Sequence, residues 1–165
     1  MDRKATAQLQ HAREHYLQRQ WAKAFEAFAL ADRAAPLEAA DLGFLSMCGY
    51  LIGRDDDYLI TLERAQSAHE QSGATLRSAR CAFFLALRLL LRGEIGRATG
   101  WLARAARLVE TSGQDSCAER GYLLVRVAER HLLSGQFEEG YAVADRAIEI
   151  GEGCGQHDLV ACARH

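Results

Sequence analysis

Proline is nearly absent from this sequence of 165 residues, in which it occurs once, at Pro36. Proline interrupts a helix interior because it has no backbone N–H donor and its ring clashes with the preceding turn. So little proline leaves room for many long helices, and the abundant alanine and leucine favour them. No segment alternates polar and apolar residues, so we predict no strands.

Long apolar runs and a strong charge of either sign are also lacking. The longest apolar stretch, from Cys81 to Leu91, contains Arg88 and is too short to cross a bilayer. The start of the chain shows no secretory signal, and a net charge of −2 gives no overall attraction to nucleic acid or anionic membranes. Five cysteines without C-x-x-C spacing indicate free thiols in a reducing compartment. We therefore expect a cytoplasmic protein that binds neither nucleic acid nor membrane.

Four short turns divide the sequence into similar segments, as in a repeat protein. A helical pattern follows each turn, and we treat the first residue of each pattern as an equivalent position, the repeat anchor. The anchors are Trp21, Asp55, Ile95 and Phe137. They are separated by 34, 40 and 42 residues, which is the spacing of helical-repeat proteins.

Small residues recur at three fixed distances from the anchors: ten residues after, three residues after and nine residues before. The twelve positions hold Ala31, Ala65, Ala105 and Ala147, then Ala24, Tyr58, Ala98 and Gly140, then Ala12, Ser46, Ala86 and Ala128. Tyr58 alone is large. Because antiparallel helices approach closely only where side chains are short, each segment is predicted to be a packed helix pair.

This pattern resembles the tetratricopeptide repeat (TPR) family. In the first segment, the residues that match the small, aromatic and terminating positions of that family are Ala12, Ala24, Phe28, Ala31 and Pro36. The first period of 34 is also the usual one. The resemblance covers essentially the whole chain. It implies an all-α fold, a TPR-like right-handed α-solenoid of about four antiparallel helix pairs plus a terminal helix.

The repeats are expected to form a single domain spanning residues 1–165. They occupy about 2–36, 37–74, 75–115 and 116–155, and a further helix starts within 156–165. The helices are predicted at about 2–18, 21–34, 37–52, 55–71, 75–92, 95–111, 116–134 and 137–151. Because solenoids need a covered end, the last helix is either a short cap, the start of a longer chain, or a surface that a partner covers.

A part of the third repeat also resembles the helical-repeat region of large bacterial LuxR-type transcription regulators. The resemblance rests on Arg92–Glu94 followed by Gly100–Ala105. In such regulators the repeats accompany a DNA-binding helix-turn-helix, which is not visible in this sequence. The resemblance implies an alternative function, a regulatory or ligand-sensing module of a larger regulator.

The first helix of each pair lines the concave face of a helix-pair solenoid, so the resemblance implies where a partner binds. Aromatic, methionine and arginine side chains, which are enriched in protein interfaces, project there. The candidates are Arg13, Tyr16, Met47, Tyr50, Arg80, Phe83, Leu87, Tyr122 and Arg126. For each apolar candidate, packing in the core is an equal alternative. The leading hypothesis is an adaptor that holds a peptide in this groove, with Arg80 orienting a carboxylate.

Two Cys/His pairs near the C-terminus raise the alternative of a metal site. Cys154 with His157, and Cys162 with His165, could supply four ligands to a tetrahedral zinc ion. The simpler interpretation is a loop followed by a small packing cysteine. We therefore expect no metal and no other cofactor.

The third repeat is rich in arginine. Between Leu76 and Val109 there are seven arginines and a single acidic residue, Glu94. These guanidinium groups could bind an anionic ligand, although a solvated face paired with acidic neighbours is the simpler interpretation. No grouping of serine, histidine and acid indicates an enzyme. The expected partner is a protein or peptide, and copies of the chain could also associate through the repeat ends.

Overall fold

The computed structural model describes the backbone of residues 3–165 and the side chains from Thr6 onward. This part of the chain consists of helices joined by short turns, without a strand. The helices are α1 Arg3–Leu17, α2 Trp21–Ala34, α3 Ala39–Leu51, α4 Asp55–Gln71, α5 Thr75–Leu91, α6 Ile95–Ser112, α7 Ala118–Leu133, α8 Phe137–Gly153 and α9 His157–Arg164. The all-α prediction is confirmed, and each anchor begins the second helix of its pair. The predicted start of the first helix, at residue 2, lies outside the described residues.

The turn inside each helix pair has one residue in the left-handed conformation, two positions before the anchor. These residues are Arg19, Gly53, Gly93 and Gly135, with φ angles of 57°, 75°, 74° and 77°. The next residue donates its backbone N–H to a carbonyl five residues earlier, as Gln20 does to His15 at 2.9 Å. This Schellman arrangement ends each first helix and fixes where the second begins.

All twelve repeat positions are buried, which confirms the predicted register. Close packing explains why small residues stand there. At Gly140, for example, an added Cβ would lie 2.7 Å from Cδ2 of Leu132. Even Tyr58, the large exception, is only 9% exposed. Each second helix packs mainly against the helix that precedes it, so the repeats are helix pairs.

The chain divides into two compact units, one ending at Ala74 and the other spanning Thr75–His165. We call them the N-terminal and the C-terminal unit. The N-terminal unit contains the first two repeats, and Phe28 is fully buried in it. The C-terminal unit contains the last two repeats and α9, which packs on α7 and α8 and buries Leu159 completely. That a single domain spans the chain stays a prediction.

No helix of residues 3–165 combines the length and the apolar character that crossing a bilayer requires.

Candidate functional site

Helix α3 of the N-terminal unit exposes a row of large apolar side chains. Met47, Tyr50 and Leu51 are 44%, 48% and 45% exposed. Their i, i+3, i+4 spacing places them side by side on the helix surface. The ring of Tyr50 lies 5.3 Å from that of Tyr58, which supports it from below. We call Met47, Tyr50 and Leu51 the α3 stripe.

Arg13 connects α1 to α3 through a buried carboxylate. Its Nε and Nη2 each donate to a different oxygen of Asp41, both at 2.8 Å, and Asp41 is 1% exposed. The hydrogen bond with Asp41 raises the pKa of the Arg13 guanidinium. A bidentate ion pair of this kind is directional as well as strong, so it aligns the two first helices of the N-terminal unit.

Tyr16 packs between the helices of the N-terminal unit. Its ring lies 4.6 Å from the ring of Phe44 and 5.4 Å from that of Trp21. Burial raises the pKa of its phenol, since the charged form loses water. Tyr16 is half-buried and therefore combines a packing role with a partly accessible surface.

Arg80 forms the corresponding connection in the C-terminal unit, from α5 to α7. Its Nε and Nη2 both donate to Oε1 of Glu119 at 2.9 Å, and the Glu119 side chain is 7% exposed. Arg80 was predicted to orient a carboxylate of a partner. In the structure it binds a carboxylate of the chain itself, that of Glu119. The Arg80 side chain remains 41% exposed.

The aromatic candidates of the C-terminal unit lie in its core. Phe83 is 5% and Tyr122 is 7% exposed, and their rings are 5.3 Å apart. Leu87 packs half-buried against the same cluster. Packing in the core, the stated alternative for the apolar candidates, describes the environment of Phe83 and Tyr122.

Arg126 lines a cavity between α6 and α7. Its Nη1 forms an ion pair with Glu129, one turn further along α7. Its Nε is buried and meets no hydrogen-bond acceptor among residues 6–165. Burial lowers the pKa of this guanidinium because desolvation disfavours the cation.

The four Cys/His candidates at the C-terminus are all exposed: Cys154, His157, Cys162 and His165. The Sγ of Cys154 donates to the carbonyl of Ser116 at 3.4 Å. Within residues 6–165, no three His, Cys, Asp or Glu side chains are grouped so that they could hold a metal ion.

Of the other three cysteines, Cys48 and Cys117 are buried and Cys81 is half-buried. Burial raises the pKa of the Cys48 and Cys81 thiols to about 11. Since the thiolate is the reactive form, both are weak nucleophiles near neutral pH, as expected for packing residues.

Several arginines of the third repeat have acidic or aromatic neighbours. Glu94 accepts from Arg92 at 3.0 Å and from Arg97 at 2.6 Å. The guanidinium of Arg104 lies 5.7 Å from the centre of the Trp101 ring. These contacts fit a solvated, internally paired face for this part of the arginine cluster.

Sequence reasoning missed Leu51 and the cavity between α6 and α7. The signal for Leu51 was available, because it follows Met47 by four residues on the same helix. The cavity depends on how two helices of successive repeats pack, which has no local signal in the sequence.

Comparison with known proteins identifies the fold. No protein-family model and no curated relative matches the chain. One similar solved structure contains the nearly identical TPR-like repeats of a Podosopora anserina protein described as a kinesin light chain. The match covers 100% of this chain and 85% of that one, with a TM-score of 0.59 and 16% identity. A substituted variant of the same repeats matches 100% of this chain and 84% of its own, with a TM-score of 0.61 and 14% identity. These neighbours confirm a TPR-like helical-repeat fold.

Proposed function

Since the chain has a TPR-like helical-repeat fold, we propose that it is a non-enzymatic adaptor that binds an extended or helical peptide of a protein partner on the first helices of its repeats. The α3 stripe carries the proposal. A partner can bury large apolar side chains that are exposed to water, and each Å² of apolar surface removed from water is favourable by roughly 25 cal/mol. Methionine and tyrosine are also enriched in protein interfaces.

The N-terminal unit supplies the contact surface in this proposal. Met47 and Tyr50 provide apolar contacts, and Leu51 extends them by one position. The half-buried side chains of Arg13 and Tyr16 contribute a polar margin from α1, the helix that Arg13 ties to α3. A polar rim around an apolar centre is the usual anatomy of an interface.

The C-terminal unit has a supporting part in this proposal. Arg80 attracts an acidic group of the partner in competition with Glu119, and Leu87 offers a partly exposed apolar edge. Phe83 and Tyr122 hold α5 and α7 in place from the core. Arg126 belongs to the cavity between α6 and α7, which favours the alternative function of a ligand-sensing module.

A pull-down from lysate of the source cells tests the adaptor proposal. The baits are wild type, Met47→Ser/Tyr50→Ser, and the matched control Leu30→Ser/Ile60→Ser. The control residues are 47% and 61% exposed, on the second helices of the first and second repeats. Mass spectrometry then compares the recovered proteins.

We expect a partner that wild type and control retain equally and that the stripe variant recovers at least tenfold less, since two interface anchors contribute about 2 kcal/mol together. Equal recovery by all three baits, loss in the control alone, or no enriched protein would each contradict the proposal.

A further inference from the structure

A cavity of about 590 Å³ opens between α6 and α7 of the C-terminal unit. Small-molecule sites usually measure about 300–1,000 Å³. The walls are mostly apolar side chains: Leu102, Ala103 and Ala106 from α6, and Leu123, Val127 and Leu133 from α7. With a rise of 1.5 Å per residue, the α7 wall runs for about 15 Å. The cavity is therefore long, apolar and large enough for a small ligand.

Two substitutions between repeats explain its width. Four residues after the anchor, Phe25 of the first repeat corresponds to Thr99 of the third; eleven residues after it, Asp32 corresponds to Ala106. Phe25 and Asp32 line a cavity of about 240 Å³ in the N-terminal unit. There Asp32 accepts from both terminal nitrogens of Arg64 at 2.6 and 2.8 Å, which ties α2 to α4. Thr99 fills less space than phenylalanine, and Ala106 has no carboxylate for such a tie.

Positive charge accompanies the apolar walls. Arg126 and Arg130 line the cavity with one acidic residue, Glu129. The equivalent of Arg126 in the second repeat is Phe44, so the charge is particular to this site. Nη1 of Arg126 is paired with Glu129, and the Arg126 side chain remains 30% exposed. Because the planar guanidinium fork has further N–H donors, a carboxylate is the ligand group whose geometry matches it.

We propose that this cavity binds a single-chain fatty-acid carboxylate, with its head group on Arg126 and its hydrocarbon chain along α7. The charge selects the head group, and the apolar walls select the chain. A peptide would bring backbone N–H and C=O groups that apolar walls leave unpaired, which is costly. The site uses residues other than the α3 stripe, so this proposal and the adaptor proposal can fail separately.

Displacement of the fluorescent probe dansyl-undecanoate from the purified chain tests the proposal. The competitors are octanoate, decanoate, dodecanoate and dodecanol, each below its micelle concentration. We expect saturable probe binding and roughly two- to fourfold tighter binding for each added methylene. Dodecanol, which has the same chain without the charge, should bind about tenfold more weakly than dodecanoate, as expected when a charge-assisted hydrogen bond is lost.

Three variants locate the site. Thr99→Phe introduces the residue that the first repeat has at this position. It should weaken the binding of both dodecanoate and dodecanol about tenfold or more, because the phenylalanine ring occupies the space of the ligand's hydrocarbon chain. Arg126→Met removes the guanidinium group and leaves an unbranched apolar side chain. It should abolish the preference for dodecanoate over dodecanol. Arg107→Met changes an exposed arginine of α6 outside the cavity and should leave both affinities unchanged.

Circular dichroism and thermal unfolding establish that each variant is folded. The competition series on wild type tests the proposal independently of the variants. The proposal is overturned if wild type shows no saturable binding, or if dodecanol competes as well as dodecanoate. It is also overturned if Thr99→Phe binds like wild type, or if Arg107→Met loses as much affinity as Arg126→Met, since the ligand would then be held by general surface charge.

Discussion

At the scale of single residues, packing requires glycine at some positions inside the helices and not at others. Gly121 in α7 permits a close approach: an added Cβ would lie 2.4 Å from Cδ2 of Leu159 and 3.3 Å from Cγ2 of Ile150. Gly100 in α6 has no atom within 4 Å of such a Cβ and therefore serves no packing purpose. Glycine costs conformational entropy at both positions, but only at Gly121 does packing require it.

Alanine should therefore have opposite effects at these two positions. Gly121→Ala should lower the free energy of unfolding by about 1–3 kcal/mol, because Leu159 must shift within a filled core. Gly100→Ala should raise it by about 0.5–1 kcal/mol, because alanine favours the helix. Urea unfolding followed by circular dichroism measures both. Equal effects of the two substitutions would contradict the close packing of α9 on α7.

Arg19 shows a departure from the repeat at the same scale. It occupies the left-handed position that glycine holds in the other three turns within helix pairs. The left-handed conformation costs a residue with a side chain about 1–2 kcal/mol. The turn nevertheless forms, with the same backbone hydrogen bond from Gln20 to His15, because the packed helices on either side determine its geometry.

At the scale of helices and turns, ion pairs connect the first helices of neighbouring repeats within each unit. Arg13–Asp41 joins α1 to α3, and Arg80–Glu119 joins α5 to α7. In each pair the carboxylate is almost fully buried while the arginine keeps an exposed edge. A buried carboxylate without its partner is costly, so these pairs fix which residues may face each other.

Removal of one partner should therefore be worse than removal of both. Arg13→Met should lower the free energy of unfolding by about 2–4 kcal/mol, because it leaves the Asp41 carboxylate buried and unpaired. Arg13→Met/Asp41→Asn should recover about half of that loss, because the buried charge is gone. A double-mutant cycle by urea unfolding gives the coupling energy. Additive effects of the two single substitutions would show that the pair contributes nothing.

The turns of the first and fourth repeats share a side-chain contact that follows from their register. Nδ1 of His15 lies 2.8 Å from Oε1 of Gln20, and the same atoms of His131 and Gln136 are also 2.8 Å apart. In both cases the histidine stands six residues before the anchor and the glutamine one residue before it. The repeat relationship thus extends from the packed small residues into the turns.

Local signals in the sequence were sufficient to predict the elements. Helix starts such as Trp21 and Asp55 follow directly from turn residues and from the spacing of small residues. Contacts between repeats were beyond reach, because Arg13 and Asp41 are 28 residues apart and nothing local couples them. The candidate site shows the same limit: helical spacing places Met47 and Phe83 on similar faces, but only tertiary packing exposes one and buries the other.

At the scale of the whole molecule, the two compact units differ in what they offer a ligand. The N-terminal unit presents the apolar α3 stripe to solvent, with a small cavity that Asp32 and Arg64 cross. The C-terminal unit buries Phe83 and Tyr122 in its core and opens a larger cavity beside Arg126. In our two proposals, the same repeat supports a surface for a protein partner in one unit and a cavity for a small molecule in the other.

Site-specific cross-linking in the source cells tests the adaptor function most directly. The photoreactive residue p-benzoylphenylalanine replaces Tyr50 in one chain and, as the control, the comparably accessible Ile60 in another. If the α3 stripe is the docking surface, irradiation should yield an adduct from position 50 whose partner peptide mass spectrometry identifies, and no adduct with that protein from position 60. Adducts with the same protein from both positions, or from position 60 alone, would contradict docking on the α3 stripe.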